Sequence, residues 1–361
     1  MTAGDTGMNT FDVIVVGLGP AGASAAQAIA KGGASVLALD RKEAAGTPVQ
    51  CAELIPQLIA SEAGDVRRSL RQRVAEMLTF VEDEGGDRVP NFPGQMIDRA
   101  DFDAKLVEDA IAAGATCRFK TMVRAIDDAG LMITSSKDRL KSRVIIAADG
   151  PRSLVGRAAG FSNTEFAETR QITVKLCGSY AATDIFLSAE IAGGYGWLFP
   201  KDDIANLGVG VAAGCKDRLK PLLSALHDKL IEQKRVGRSV LKVTGGAIPV
   251  GGIQGPVGQL GSTPVLLAGD AAGLTNPITG AGINAAVISG ALAGEAALRF
   301  LDGDKFALND YRDGIEDLFK PAIDRALARR NRLQTFYAAG LRPCPTTLRE
   351  TWIAYDAYWR S

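Results

Sequence analysis

The hydrophobic pattern begins with an apolar run in which Phe11 and Val13 to Val16 read as a buried strand. An alanine-rich helix is predicted from about Pro20 to Lys31, then a second strand from Ala34 to Leu39 that ends at Asp40. Strand, helix, strand is the parallel βαβ unit. Helical patterns follow at 54–80 and 99–113, short strands at 116–126 and 131–133, and a buried strand in SRVIIAAD that closes on Gly150. Residues 171–214 alternate strand-like runs and turns, as in a mostly antiparallel sheet; 221–233 read as helix and 240–249 as strand. The run PVLLAGDAAGLTNPITGAGINAAVISGALAGEAALRFL predicts strand, loop and long helix, and the tail from Asp304 is helical with breaks around Gly340 to Pro345. Its last helix sets Trp352, Tyr355 and Trp359 three and four residues apart, giving one apolar face. We expect that face to pack on the body of the protein; a dimer contact or a partner is the alternative. With no repeat or linker in view, two lobes would be interleaved along the chain.

Composition narrows the classes. A chain of 361 residues, 47% hydrophobic and 23% charged, can bury a core and has room for two lobes. Lys and Arg total 41, as do Asp and Glu, so no global field draws nucleic acid or an anionic bilayer. Cys51, Cys117, Cys177, Cys215 and Cys344 are scattered, which suits neither a disulfide framework nor a zinc site. The only histidine, His227, reads as a surface residue of a helix in SALHDKLIEQK, and we expect no metal. The absence of a G-x-S-x-G elbow argues against an α/β-hydrolase. The polar first ten residues show no signal peptide, and Asp270, Asn276, Pro277 and Asn284 interrupt the long apolar stretch. The expectation is a soluble, cytoplasmic protein with no transmembrane segment and no nucleic-acid partner.

Three glycine-rich turns carry the chemistry. Gly17-Leu18-Gly19-Pro20-Ala21-Gly22 is a G-x-G-x-x-G at a strand-to-helix junction. Gly17 permits the turn, Gly19 lets backbone approach a pyrophosphate, and Gly22 lets helix and strand pack closely. The helix N-terminus would face the phosphates, and Asp40, followed by Arg41, lies where an acid meets a ribose hydroxyl. An ordinary glycine-rich turn is the plainer alternative. A second strand ends in Asp149-Gly150, followed by Arg152 and Ser153, and a third in Gly269-Asp270 before a helix near Gly280. An aspartate at such a place can accept from a ribose hydroxyl, and the next helix can aim N–H groups at a phosphate or a flavin edge.

In order and spacing these turns, to about residue 300, resemble the FAD fingerprints of the p-hydroxybenzoate hydroxylase class. Within it, GDAAGLTNPITGAGI, Arg99 with Phe102-Asp103, and Tyr195-x-Trp197-x-Phe199-Pro200 resemble the geranylgeranyl reductase family. The resemblance implies an α/β protein whose Rossmann-like FAD-binding domain comprises 1–75, 96–165 and 256–303. An antiparallel-sheet substrate domain would take 76–95 and 166–255, and 304–361 would form a short helical C-terminal segment. It also implies that Asp270 contacts the ribityl or pyrophosphate region, that Gly280, Ala281, Gly282 and Ile283 lie near the isoalloxazine, and that Arg99 sits close to FAD. Taken alone, Arg99 could pair with an acid such as Asp101, and the glycines could serve only packing.

By the same resemblance Tyr195, Trp197, Phe199 and Pro200 line the substrate cavity. Flat rings suit an apolar prenyl chain, and the Trp N–H and Tyr O–H could orient a polar head. Packing in the core of the sheet is the other reading. Cys51 stands where the family's reductases carry a cysteine near the flavin, usually followed by glycine and then an acid or second glycine; here Ala52 takes the place of that glycine and Glu53 follows. Its thiol could donate a proton or fill space, and Glu53 is a second candidate acid. Gly208-Val209-Gly210 reads as strand, so no second nucleotide site is in view. The resemblance to the hydroxylase class implies NAD(P)H as a candidate transient electron donor, and the donor stays open among NADPH, NADH and a ferredoxin-like protein.

The implied activity is reduction of an isoprenoid C=C bond, with Cys51, Tyr195 and Trp197 as candidate catalytic residues. The partner would be an apolar or isoprenoid small molecule. The tail is shorter than in the larger reductases, which weighs against a lipid substrate, and two rival oxidoreductase readings stand beside the first. One is a flavoprotein passing electrons to a redox partner protein, for example in lipoate assembly; the other is a flavin monooxygenase.

Overall fold

A computed structural model describes residues 8–57 and 66–360. Its first sheet grows from β1 (Asn9–Val16), which pairs in parallel with β2 (Val36–Leu39), in register from Val13–Val36 to Val16–Leu39. Both strands bury β-branched and aliphatic side chains on both faces, as a parallel sheet covered by helices requires. α1 (Pro20–Lys31) makes the crossover between them and packs on the sheet through Ala23, Ala26 and Ile29. The second sheet begins with three strands, β3 (Leu54–Pro56), β4 (Leu70–Val81) and β5 (Gly86–Ile97). α2 (Arg99–Ala112) returns the chain to the first sheet, started by Asp98, whose side chain accepts from the N–H groups of Ala100 and Asp101.

β6 (Thr116–Arg118), β7 (Val123–Ile126), β8 (Met132–Thr134) and β9 (Arg139–Ala147) follow, then the short α3 (Leu154–Ala158). β10 (Phe166–Leu176), β11 (Ala182–Leu187), β12 (Gly196–Lys201) and β13 (Ile204–Ala212) lie in the second sheet. α4 (Leu219–Glu232) precedes β14 (Val236–Pro249). β15 (Val257–Leu260) and β16 (Thr263–Leu267) rejoin the first sheet, and α5 (Ile283–Leu301), α6 (Ala307–Ala338), α7 (Pro345–Glu350) and α8 (Asp356–Trp359) complete the chain. The first sheet has the order β15-β16-β9-β1-β2-β6, with β8 on β9 and β7 on β8. The second runs β14-β10-β13-β12-β11-β4-β5-β3 and is antiparallel except where β11 meets β4. The chain thus crosses between two sheets of one α/β fold.

Three expectations are corrected. Residues 70–81 form a strand, not the end of a helix, and 54–56 are also strand; 58–65 lie outside the described residues. Helix-forming Arg, Gln, Glu and Met residues suggested the helix, but pairing to β5 and β11 on either side outweighs that preference. His227 is buried, its Nε2 3.0 Å from the carbonyl of Gly237, because α4 lays that face on the sheet. Trp352, Tyr355 and Trp359 do not share one helix: α7 ends at Glu350 and consecutive tight turns precede α8. Trp352 is buried and the hydroxyl of Tyr355 donates to Asp87 at 2.6 Å, while Trp359 is 57% exposed beside Arg325. These tertiary contacts divide the predicted helix.

Among the described residues no helix is long and apolar enough to cross a membrane, and no group of three or more His, Cys, Asp or Glu side chains could hold a metal ion.

Candidate active site

The first turn leaves β1 at Val16. A Cβ on Gly17, at φ +101°, would lie 2.1 Å from the carbonyl oxygen of Ala148, and one on Gly22 would lie 1.8 Å from that of Gly17. Neither position can carry a side chain. A Cβ on Gly19 would meet nothing within 4 Å, so the space in front of that backbone is free. α1 has no side-chain cap, and Pro20 at its start has no N–H to satisfy. The next N–H groups and the positive end of the helix therefore face the place a pyrophosphate would take. Asp40 fixes this turn: its carboxylate accepts from Leu18 N and Lys42 N, both at 2.8 Å, with exposed Arg41 between.

The second turn adjoins the first through Ala148. The Asp149 carboxylate, offered by the sequence as a ribose acceptor, turns to the start of α3. It accepts from the Ser153 hydroxyl, from Leu154 N at 2.7 Å and from Val155 N at 3.3 Å. Burial raises its pKa above the ordinary value, against those three bonds. Gly150, at φ +85°, faces open space.

The third turn lies against α1, where a Cβ on Gly269 would sit 3.1 Å from that of Ala21. Asp270 Oδ1 accepts from the Thr275 hydroxyl at 3.0 Å, and its carbonyl accepts from Asn163 Nδ2 at 2.8 Å. Burial pushes its pKa up, opposed by the Thr275 bond and the charge of Arg99. The Asn276 side chain shapes the loop before Gly280 by accepting from Ile278 N and Thr279 N. Gly280, Ala281 and Gly282 then lead into α5, which also starts at Ile283 without a side-chain cap. Three turns from distant parts of the chain thus meet around two open helix N-termini. Such a cradle fits a dinucleotide carrying a flavin.

Arg99 connects this cradle to Cys51. Its Nε donates to Asp103 at 2.7 Å, one helical turn on, while Asp101 pairs with Arg71. Burial works against the guanidinium charge, but Asp103, and to a smaller degree the neighbouring Cys51, hold its pKa above the ordinary value. The Cys51 sulfur accepts from Glu53 N at 3.2 Å. Glu53 stands at φ +68°, a conformation that costs a side-chain-bearing residue and that glycine adopts freely. Its carboxylate, 7% exposed, accepts from Lys201 Nζ, Asn206 Nδ2 and Arg99 N between 2.9 and 3.0 Å. Lys201 and Asn206 were not singled out by sequence reasoning. Lys201 directly follows Phe199-Pro200, but nothing in the spacing points it back 148 residues.

The aromatic strand has a mixed placement. Tyr195, Trp197 and Phe199 share one face, with ring centroids 5.7 and 6.2 Å apart. Trp197, Phe199 and Pro200 are buried, the two rings in a cluster with Met77, Met96 and Trp352. Tyr195 also borders a cavity with Ile278, Arg330 and Trp352. The polar tips are not free to orient a ligand head. Trp197 Nε1 donates to Gln171 Oε1 at 3.0 Å and the Tyr195 hydroxyl donates to Thr279 O at 2.6 Å. An unpaired N–H or O–H would be costly at such burial, and this corrects the expectation. The Tyr195 bond has another result: it ties the aromatic strand to the loop just before Gly280.

A parallel-sheet nucleotide cradle set against a second, antiparallel sheet defines a flavoprotein oxidoreductase. The geranylgeranyl reductase catalytic domain matches residues 169–248. A digeranylgeranylglycerophospholipid reductase of Methanopyrus kandleri is 33% identical over 344 residues, 88% of this chain and 85% of its own. One of Methanosarcina acetivorans is 30% identical over 353 residues, 89% of this chain and 84% of its own. The crystal structure of a geranylgeranyl bacteriochlorophyll reductase-like protein from Thermoplasma acidophilum superposes with a TM-score of 0.84 at 25% identity, covering 97% of this chain and 92% of that one. The chain belongs to the geranylgeranyl reductase family of FAD-dependent oxidoreductases.

Proposed function

We propose that this protein reduces C=C bonds in the isoprenoid chains of a geranylgeranyl-type glycerophospholipid. The observation that carries the reading is the Tyr195–Thr279 hydrogen bond, which sets an apolar aromatic strand against the loop leading to Gly280. Relatives named for that substrate, aligned over most of both chains, favour reduction over electron carriage or oxygenation.

Gly17, Gly19, Pro20, Ala21 and Gly22 would receive the FAD pyrophosphate, with Asp40 and Arg41 toward the ribose. Asp270 would meet the ribityl chain, and Gly280 to Ile283 would back the isoalloxazine. Bound FAD supplies the hydride for one alkene carbon. The residues of the chain would do the rest: apolar rings exclude water, the Arg99 charge acts between Cys51 and Asp270, and the Cys51 thiol holds a proton for the other carbon. The Glu53–Lys201 pair positions the loop that carries Cys51. Asp149 and Gly150 support the cradle from the second turn. NAD(P)H would reduce the flavin transiently.

Anaerobic incubation with NADPH, NADH or dithionite and an unsaturated archaeal-type lipid tests this, with product mass as the readout. The expected product gains two hydrogens per bond reduced. Unchanged lipid beside a fully reduced flavin contradicts the proposal.

A further inference from the structure

The cavity that Tyr195 borders lies beneath the C-terminal segment, between the Gly193 turn, Pro277 and Ile278, α6, and Trp352. Its walls are largely apolar. Two donors of the side chains lining it nevertheless have no acceptor: Arg330 Nε and Trp352 Nε1. Arg330 is 6% exposed, and its Nη1 donates to the carbonyls of Gly193 at 2.9 Å and Pro277 at 3.4 Å. These carbonyls fix the guanidinium but do not neutralise it. The charge of Glu165 acts on Arg330 without a hydrogen bond, and burial draws the arginine's pKa down.

A buried guanidinium ordinarily has an anion beside it, because removing its charge from water is expensive. Here the side chain has neutral partners, an unused N–H and a neighbouring indole with an unused N–H. The planar guanidinium fork matches an oxyanion with several oxygens, and an indole adds one further donor. We propose that this cavity is the phosphate subsite for an amphipathic substrate, with Arg330 and Trp352 donating to the anion and Leu187, Leu333 and Leu348 lining the start of its chain. The substrate class rests on the isoprenoid-lipid reading above; the anion chemistry rests on the two donors. The Trp352 ring lies tilted against Tyr195 at a centroid distance of 4.8 Å, and Tyr195 holds Thr279, so the subsite adjoins the Gly280 loop.

Equilibrium titration of the oxidised, FAD-loaded protein, without turnover, tests the proposal. The probes are inorganic phosphate, geranylgeranyl phosphate and geranylgeraniol. The phosphate ester is expected to bind at least about tenfold more tightly than the alcohol. Trp352→Phe, which keeps the ring and loses the N–H, should remove most of that preference, as should Arg330→Gln; should Arg330→Gln not fold, Trp352→Phe decides. Competition by inorganic phosphate identifies a site for the free anion, whereas a requirement for the prenyl chain identifies a lipid headgroup site; either supports the subsite. Binding of phosphate alone, sensitive to both variants, keeps the subsite and counts against the isoprenoid substrate. Equal binding of ester and alcohol, no binding of either anion, or a preference unchanged in Trp352→Phe overturns the subsite. Equal binding leaves prenyl reduction standing.

Discussion

At the scale of single residues, the three glycines of the first turn have separable roles. Gly22 is required by contact with the Gly17 carbonyl, whereas Gly19 faces free space with an ordinary negative φ of −77°. Gly22→Ala should cost about 1–3 kcal/mol or more through overpacking. Gly19→Ala should leave the FAD-free protein within roughly 0.5 kcal/mol of its parent yet weaken FAD binding. Urea unfolding of both flavin-free variants, followed by flavin titration, separates them; equal loss of stability would refute the assignment of Gly19 to the cofactor. Asp270→Ala is expected to lose most bound FAD, seen as a fall in the ratio of visible to ultraviolet absorbance. Full flavin occupancy would remove Asp270 from the cradle. The three turns could be read as motifs because glycine and aspartate are tied to local geometry. The engagement of Asp149 by α3 could not, since it depends on where a carboxylate rotates after the fold has formed. Nor could the pairing of Arg330 with two carbonyls, which requires α6 to reach loops far away in sequence.

At the scale of elements, β1, α1 and β2 were legible because unbroken apolar strands and an alanine-rich helix leave little competition. β4 was not, because LRQRVAEMLTFV combines helix-forming residues with an alternation that only its partners β5 and β11 make decisive. The C-terminal aromatics were misread for a related reason. Their helical spacing is real, but the bond of Tyr355 to Asp87 and the tilted ring contact of Trp352 with Tyr195 prevail. In β13, the sequence reading as strand holds, and the structure adds why one glycine is there. A Cβ on Gly208 would lie 2.2 Å from the Trp197 ring. Gly208→Ala should therefore displace that indole and destabilise the protein by about 1–3 kcal/mol. Thermal unfolding checks the energy and Trp fluorescence the displacement. An unchanged spectrum and melting point would show that the ring is not held as described.

At the scale of the molecule, two sheets divide the work. The first gathers three glycine turns at the ends of β1, β9 and β16, and the second supplies apolar surface and the buried Glu53–Lys201 pair. The contact between them runs through Tyr195 and Thr279 on one side and Arg99 with Cys51 on the other. The motif resemblance indicated the family, while the polar contacts joining the sheets emerged only from tertiary structure. The central claim is that reduced flavin in this cradle delivers its electrons to an isoprenoid alkene. The most direct measurement is flavin absorbance after anaerobic photoreduction, on addition of a geranylgeranyl glycerophospholipid. Return of the oxidised flavin spectrum, in step with saturated lipid, is predicted; flavin that stays reduced in the presence of bound lipid would contradict the account.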